Sequence, residues 1–131
     1  INQHRKANGG LAPLKSSKDM TNSARYKSLA MLQKNYFGHN NPGFPDQSLG
    51  YLMRNVFGYK NYSGFGENIG YTVASASAID DLFLTFKLSP GHNKNMLDPS
   101  FKYVGIGVVA AGKSGSAFPG NAIIITQHFG K

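Results

Sequence analysis

Two histidines and one glutamate are the residues of this chain whose types best suit chemistry. His39, Glu67 and His92 each directly follow a glycine, and Glu67 is the only glutamate in the 131 residues. Imidazole nitrogens bind transition metals, and a carboxylate can ligate a metal, orient a ring or accept a proton from bound water. No local metal motif such as HExxH is present, so spacing alone does not show that the three meet.

Each of these residues also has a structural interpretation. His39 and His92 can satisfy backbone groups at helix ends, and Glu67 can serve as a buried acceptor for backbone N–H groups or for one of the rings. The other two histidines, His4 and His128, fall on a terminal helix and a strand, where we expect them to be structural or exposed.

The segment around His92 is predicted to hold its ring in a constrained position. Pro90 disfavours helical backbone at the residue before it, so the preceding helix should end at about Leu88. Gly91 allows a sharp turn, which would place His92 at the start of a short helical turn. Asn68, beside Glu67, is expected to brace the backbone, and Gln127 to pack and hydrogen-bond within a strand.

Hydrophobic spacing predicts four helices that would position these residues, at 1–8, 17–36, 47–57 and 75–88. Ser17 or Ser16 is a suitable N-cap for the second helix. On that helix Met20, Ala24 and Met31 form one face, and Lys27 is predicted to lie off it. His39 would then follow the helix end, on a loop.

Strand patterns dominate the second half of the chain. Residues 59–71 suit an extended segment or strand, and residues 103–110 and 121–129 suit two strands joined by a loop at 111–120. The alternate glycines Gly105 and Gly107 indicate that a helix or backbone packs closely on that face. Helices followed by an antiparallel hairpin predict one α+β domain over residues 1–131.

Composition narrows the classes of partner. A net charge of +8 and a pI near 9.8 favour anionic partners such as wall polymers or lipid head groups. The cations form no dense run interleaved with aromatics, so no nucleic-acid site is expected. Cysteine is absent, which excludes disulfides and thiolate chemistry, and no apolar run is long enough to span a membrane. Because Ile1 already reads as helix, we expect a leader or another upstream segment to have been lost.

Six blocks in register resemble one known family, the bacterial, cysteine-free branch of the CAP superfamily of cysteine-rich secretory, antigen 5 and pathogenesis-related proteins. The blocks are Ile1-Asn2 and Arg5 followed by Gly10-Leu11 with Pro13-Leu14, Tyr36-Phe37-Gly38-His39, Gly66-Glu67-Asn68-Ile69, Ser89-Pro90-Gly91-His92, Val104-Gly105-Ile106-Gly107 and Thr126-Gln127-His128-Phe129-Gly130. The resemblance covers nearly the whole chain.

The resemblance implies a three-layer α-β-α sandwich with a small antiparallel sheet, and an extracellular or cell-surface location. It also implies a central cleft for a divalent metal, often zinc, with His39 and His92 as ligands and Glu67 as ligand or neighbour. Asn68, Ser89 and Gly91 would support this cleft. The second acid of many relatives would fall near Ser89, so the resemblance implies a weak site for Zn²⁺ or another divalent cation.

Three functions follow from the resemblance. The preferred one is a non-enzymatic binding module, with an anionic cell-surface or cell-wall polymer or a lipid as partner. The second is a metal-dependent, peptidase-like hydrolase in which Glu67 is the general base. The third is a lipid-binding protein.

Overall fold

The computed structural model describes residues 1–112 and 117–131. In chain order the elements are α1 (Asn2–Ala7), β1 (Lys15–Ser16), α2 (Lys18–Gln33), α3 (Leu49–Tyr51), which continues as a π-helical segment (Leu52–Val56), β2 (Phe65–Val73), α4 (Ala78–Leu88), α5 (Pro90–Leu97), β3 (Tyr103–Ala110) and β4 (Ala122–Gly130). Among the described helices, none has the length and apolar character needed to cross a bilayer.

The four strands form one sheet in the order β1-β3-β4-β2. β4 pairs antiparallel with both β3 and β2, as the predicted hairpin required. The parallel pairing of β1 with β3 was not predicted, because Lys15 and Ser16 are too short a run to show an alternating pattern. The pairing is held by the Lys15 amide, which donates to the Lys102 carbonyl at 2.8 Å.

Alternate residues of β4 face two different helical layers. Ile124 packs with Met31 of α2, whereas Ile125 and Phe129 pack with Phe86 of α4 and with α5. Burial of each such large side chain stabilises the fold by about 1.5–3 kcal/mol. The sheet therefore lies between α2 and the α4–α5 layer, which confirms the predicted three-layer α+β fold.

In the described part of the chain, the backbones of α2 and β3 approach each other closely at two glycines. A Cβ atom on Gly105 would lie 2.0 Å from the Thr21 amide nitrogen, and one on Gly107 would lie 2.2 Å from the Ala24 carbonyl carbon. Only glycine at both positions lets the helix backbone rest directly on the strand. The predicted close approach on this face is confirmed.

Several element boundaries differ from the predictions. Ser17 caps α2 as predicted, since its hydroxyl accepts from the Met20 amide at 3.3 Å. The helix ends at Gln33 rather than near residue 36, because Asn35 takes a positive φ of 52°. β2 begins at Phe65 rather than residue 59, because the preceding rings pack on one another, as Phe57 and Tyr59 do at 5.3 Å.

Three further differences concern the remaining predictions. The third helix begins at Leu49 rather than residue 47, and α4 begins at Ala78 rather than Ser75. Pro90 opens α5 directly, and Gly91 continues that helix without a positive φ, so the sharp turn predicted at Gly91 is absent. Of the loop predicted at 111–120, residues 113–116 lie outside the described residues.

Candidate metal-binding cleft

Glu67 lies at the centre of a hydrogen-bonded cluster on the edge strand β2. Its register partner on β4 is His128, so both side chains leave the sheet on the α2 face. Glu67 is only 7% exposed, and its two carboxylate oxygens have separate partners. His39 Nδ1 lies 2.7 Å from Oε1, and His128 Nε2 lies 2.8 Å from Oε2. Glu67 therefore bridges two imidazoles.

The two rings that Glu67 bridges have opposite environments. The His39 side chain is 62% exposed, whereas His128 is fully buried. The second nitrogen of His128, Nδ1, lies 2.9 Å from the Ser23 hydroxyl of α2. A chain of hydrogen bonds thus runs from solvent at His39 through Glu67 and His128 to the interior surface of α2.

This bridging fixes the charge of Glu67. Burial alone raises the pKa of Glu67, but the hydrogen bonds from His128 and His39 outweigh burial and lower it to about 2. In return, the hydrogen bond to Glu67 raises the pKa of His39. With Glu67 ionised, His39 Nδ1 is the donor to Oε1, and in neutral His39 this leaves the lone pair on Nε2.

His92 belongs to α5, in the helical layer on the other side of the sheet from α2. Its ring packs against Phe86 with the centroids 4.7 Å apart, and the Asn68 side chain donates to its carbonyl at 3.1 Å. Asn68 itself is held by Gln127 and Asn95. Burial, followed by the nearby charge of His39, lowers the pKa of His92, so its ring is neutral near pH 7.

The Nδ1 atom of His92 is the one buried side-chain nitrogen or oxygen without a hydrogen-bond partner in the described part of the chain. Leaving a buried polar atom unpaired costs about 1–3 kcal/mol. Such an atom needs an explanation, and a bound ion or water would supply one.

Lys27 supports the loop that carries His39. The prediction that Lys27 lies off the buried face of α2 is wrong, because its side chain has no exposed surface. Its ammonium donates to the carbonyls of His39 at 3.1 Å and Asn40 at 2.8 Å, and to the Asn41 side chain at 3.2 Å. The long aliphatic stem of a lysine can pass through an apolar layer, so that its ammonium donates hydrogen bonds to the backbone of a loop on the far side.

Of the three residues singled out from the sequence, His39 and Glu67 are in direct contact; the contacts of His128 with Glu67 and of Lys27 with the His39 loop were not predicted. Strand alternation puts His128 on the same face as the side chain opposite it, but only the register shows that this partner is Glu67. Ser89 supplies its backbone rather than its side chain, since its carbonyl accepts from the Asn93 amide at 2.8 Å. Within the described residues, no three His, Cys, Asp or Glu side chains form a metal-binding group.

Comparison with known proteins identifies the family. The model of the cysteine-rich secretory protein family, CAP, matches residues 1–129. The chain belongs to the CAP family. Unlike the cysteine-rich members that give the family its name, this chain contains no cysteine.

Proteins similar to this CAP domain in sequence or in fold come from several bacteria. The YkwD protein of Bacillus subtilis is 35% identical over 105 residues, which are 79% of this chain and 37% of that protein. An extracellular SCP-domain protein of Bacillus anthracis has a TM-score of 0.70 at 25% identity, covering 96% of this chain and 36% of that one. An outer surface protein of Borrelia burgdorferi has a TM-score of 0.75 at 15% identity, covering 99% and 85%. The chain thus spans little more than a third of the Bacillus relatives.

The charge of Glu67 should make the acid stability of this domain depend on that residue. Its pKa lies below the ordinary value of 4.5 in the folded state, so its contribution is complete above about pH 4.5 and is lost as the pH falls towards 2. We therefore expect Glu67→Gln to lower the free energy of unfolding at pH 7, and the gap to wild type to close as the pH falls. Urea titrations in EDTA from pH 7 to pH 2.5 measure this difference in the free energy of unfolding. A difference independent of pH would contradict the stabilising role of the ionised Glu67 carboxylate.

Proposed function

We propose that this CAP domain acts outside the cell as a non-enzymatic binding module, and that His39 and His92 hold a divalent cation, zinc being the best fit. The observation that carries the proposal is the unpaired, buried Nδ1 of His92, with His39 close enough for its charge to lower the pKa of His92. Neutral imidazole is a favoured ligand for zinc.

Glu67 would not ligate this cation. Both of its oxygens already accept hydrogen bonds, so it is better placed to orient His39 and strengthen its Nε2 as a donor to the metal. When bound, the cation would attract an anionic or carbonyl oxygen of a partner. With only two protein ligands the site would be weak and would retain open positions.

The same geometry gives little support to the hydrolase alternative. A general base works best when its pKa is near the working pH, and a buried carboxylate with a pKa of about 2 is a weak base.

The lipid alternative has one supporting feature, an apolar hollow of about 170 Å³ between α4 and the sheet, where Ile79, Ile106 and Val108 are exposed. The extracellular location is supported by the relatives described as extracellular or outer surface proteins.

Calorimetric titration with ZnCl₂ tests the metal proposal. We expect measurable heat for wild type, and a loss of at least about tenfold in affinity for His39→Ala and for His92→Ala, since each removes one of two protein ligands. His4→Ala is the matched control, because His4 instead bonds Asn93 at 2.7 Å, and it should bind as wild type does. Equal affinity in all four proteins would overturn the proposal.

A further inference from the structure

A second surface, which includes none of His39, Glu67 and His92, is a groove along the extended segment between α1 and β1. Two hollows of about 450 Å³ and 280 Å³ lie along it, and Ala12 and Pro13 line both. Lys6 lines the first hollow, and Lys15 and Lys102 line the second; no acid lines either. We call this surface the link groove.

The cations of the link groove have no acidic partners. In the part of the chain that the structure describes, the ion pairs within 4.0 Å both join Glu67 to a histidine, so no described lysine or arginine is paired with a carboxylate. Lys6, Lys15 and Lys102 are all exposed. Their charge is therefore available to a ligand rather than neutralised within the fold.

The acid nearest to the groove in sequence, Asp98, is hydrogen-bonded to Ser100 and forms no ion pair with a described lysine. Asp98 precedes Pro99, which lines the second hollow, and its carboxylate accepts from the Ser100 hydroxyl at 2.6 Å and the Ser100 amide at 2.8 Å. These hydrogen bonds, together with the charges of Lys131 and Lys94, lower the pKa of Asp98. The Lys131 ammonium also lies 5.7 Å from the centre of the Phe101 ring, which adds a cation at this end of the groove.

Backbone pairing fixes two of the lysines next to each other. The Lys15 amide donates to the Lys102 carbonyl, and β1 continues in parallel register with β3 from Lys15 to Ser16. Because Tyr103 rather than Lys102 is the register partner of Lys15, the two lysine side chains leave opposite faces of these strands. Both residues line the second hollow.

We propose that the link groove binds a linear polyanion with regularly spaced phosphates, of the polyol phosphate kind found in cell walls. Two adjoining hollows with cations at both ends suit a strand-shaped ligand, and the apolar walls at Leu11, Pro13 and Tyr103 suit its carbon backbone. Diffuse electrostatic attraction from the +8 charge would bring such a ligand to the surface. This site is independent of His39 and His92.

The groove suits this ligand better than nucleic acid or a membrane. Phe101 is buried and stacked on Phe129 at 5.4 Å, with Lys131 over its ring, so it offers no free face to a nucleic-acid base. A membrane surface is flat, whereas the cations here flank a concave surface. The partner therefore has to enter the groove as a narrow chain.

The test measures binding of a lipid-free poly(glycerol phosphate) by fluorescence anisotropy between 50 and 200 mM NaCl. The variant is Lys6→Gln/Lys15→Gln/Lys102→Gln. The control, Arg25→Gln/Lys60→Gln/Lys87→Gln, removes the same charge outside the groove. We expect the variant to bind at least about tenfold more weakly at 50 mM NaCl, with a log K against log[salt] slope shallower by about 2, since each phosphate contact on a single strand contributes about 0.7. The control should stay near wild type.

Three outcomes would overturn the proposal: no binding by wild type, equal weakening in variant and control, or tighter binding to phosphatidylglycerol vesicles or to single-stranded DNA than to the polymer. Thermal unfolding of both triple variants checks that each is folded. The polymer titrations are done in EDTA, so a failure of the zinc site would leave this result unaffected.

Discussion

Gly107→Ala should lower the free energy of unfolding by about 3 kcal/mol or more, at or above the upper end of the usual overpacking range and a large share of the roughly 5–15 kcal/mol typical of a domain. The added Cβ would lie 2.2 Å from the Ala24 carbonyl carbon and 2.3 Å from the Arg25 nitrogen. Both are backbone atoms of α2, so no side-chain rotation relieves the overlap. The helix would have to move away from the sheet, and the contacts of Met31 with Ile124 would be lost.

Urea denaturation of purified protein at pH 7 measures this effect. Gly112→Ala is the matched control, because a Cβ at Gly112 would meet nothing within 4 Å and its backbone has no positive φ. We expect the control to lie within about 0.5 kcal/mol of wild type. A Gly107→Ala protein within 1 kcal/mol of wild type would show that α2 does not rest on β3 as described.

Lys27→Met should lower the free energy of unfolding by about 3 kcal/mol. Methionine fills a similar volume, but the carbonyls of His39 and Asn40 and the Asn41 side chain would lose the ammonium that satisfies them. Hydrogen bonds to a charged group contribute about 1.5–3 kcal/mol, and stranded buried acceptors add a desolvation cost. Burial lowers the pKa of Lys27, and the charge of Glu67 opposes this shift.

Two measurements separate this role from a general loss of packing. Lys34→Met removes an exposed ammonium that donates to the Pro42 carbonyl at 2.7 Å, and it should change stability by less than about 0.5 kcal/mol. Hydrogen exchange should show faster opening at the Asn41 amide, which bonds the Gln47 carbonyl, in Lys27→Met alone. Equal stability of the two variants would contradict the supporting role of Lys27.

The sequence allowed correct predictions for features that depend on the conformation or size of a single residue. Ser17 was recognisable as a cap, and Gly105 and Gly107 as a site of close packing, because each follows from the conformation or size of one residue. The position of Glu67 among apolar and glycine residues also marked it as unusual. Its partnership with His128 could not be predicted, since the two residues are 61 positions apart and meet only through the register of β2 with β4.

Lys27 shows a different limit of sequence reasoning. A charged residue beside an apolar face is ordinarily assigned to solvent, since lysine is almost never fully buried without partners. Its partners here are mainly backbone carbonyls in the loop 39–41, which no side-chain pattern reveals. The two-residue strand β1 escaped prediction for the same reason, because its stabilising contacts are made by the backbone.

The strand order also has a consequence for when the domain can fold. β4 is the last strand of the chain, yet it lies inside the sheet between β3 and β2. Until Ala122–Gly130 is available, β2 has no strand to pair with and Glu67 has no His128 beneath it. Non-local pairings of this kind slow folding because the loop must close before any contact forms. A chain emerging from a ribosome or a secretion channel would therefore complete its sheet only once Gly130 has emerged, and the hydrogen-bonded cluster around Glu67 with it.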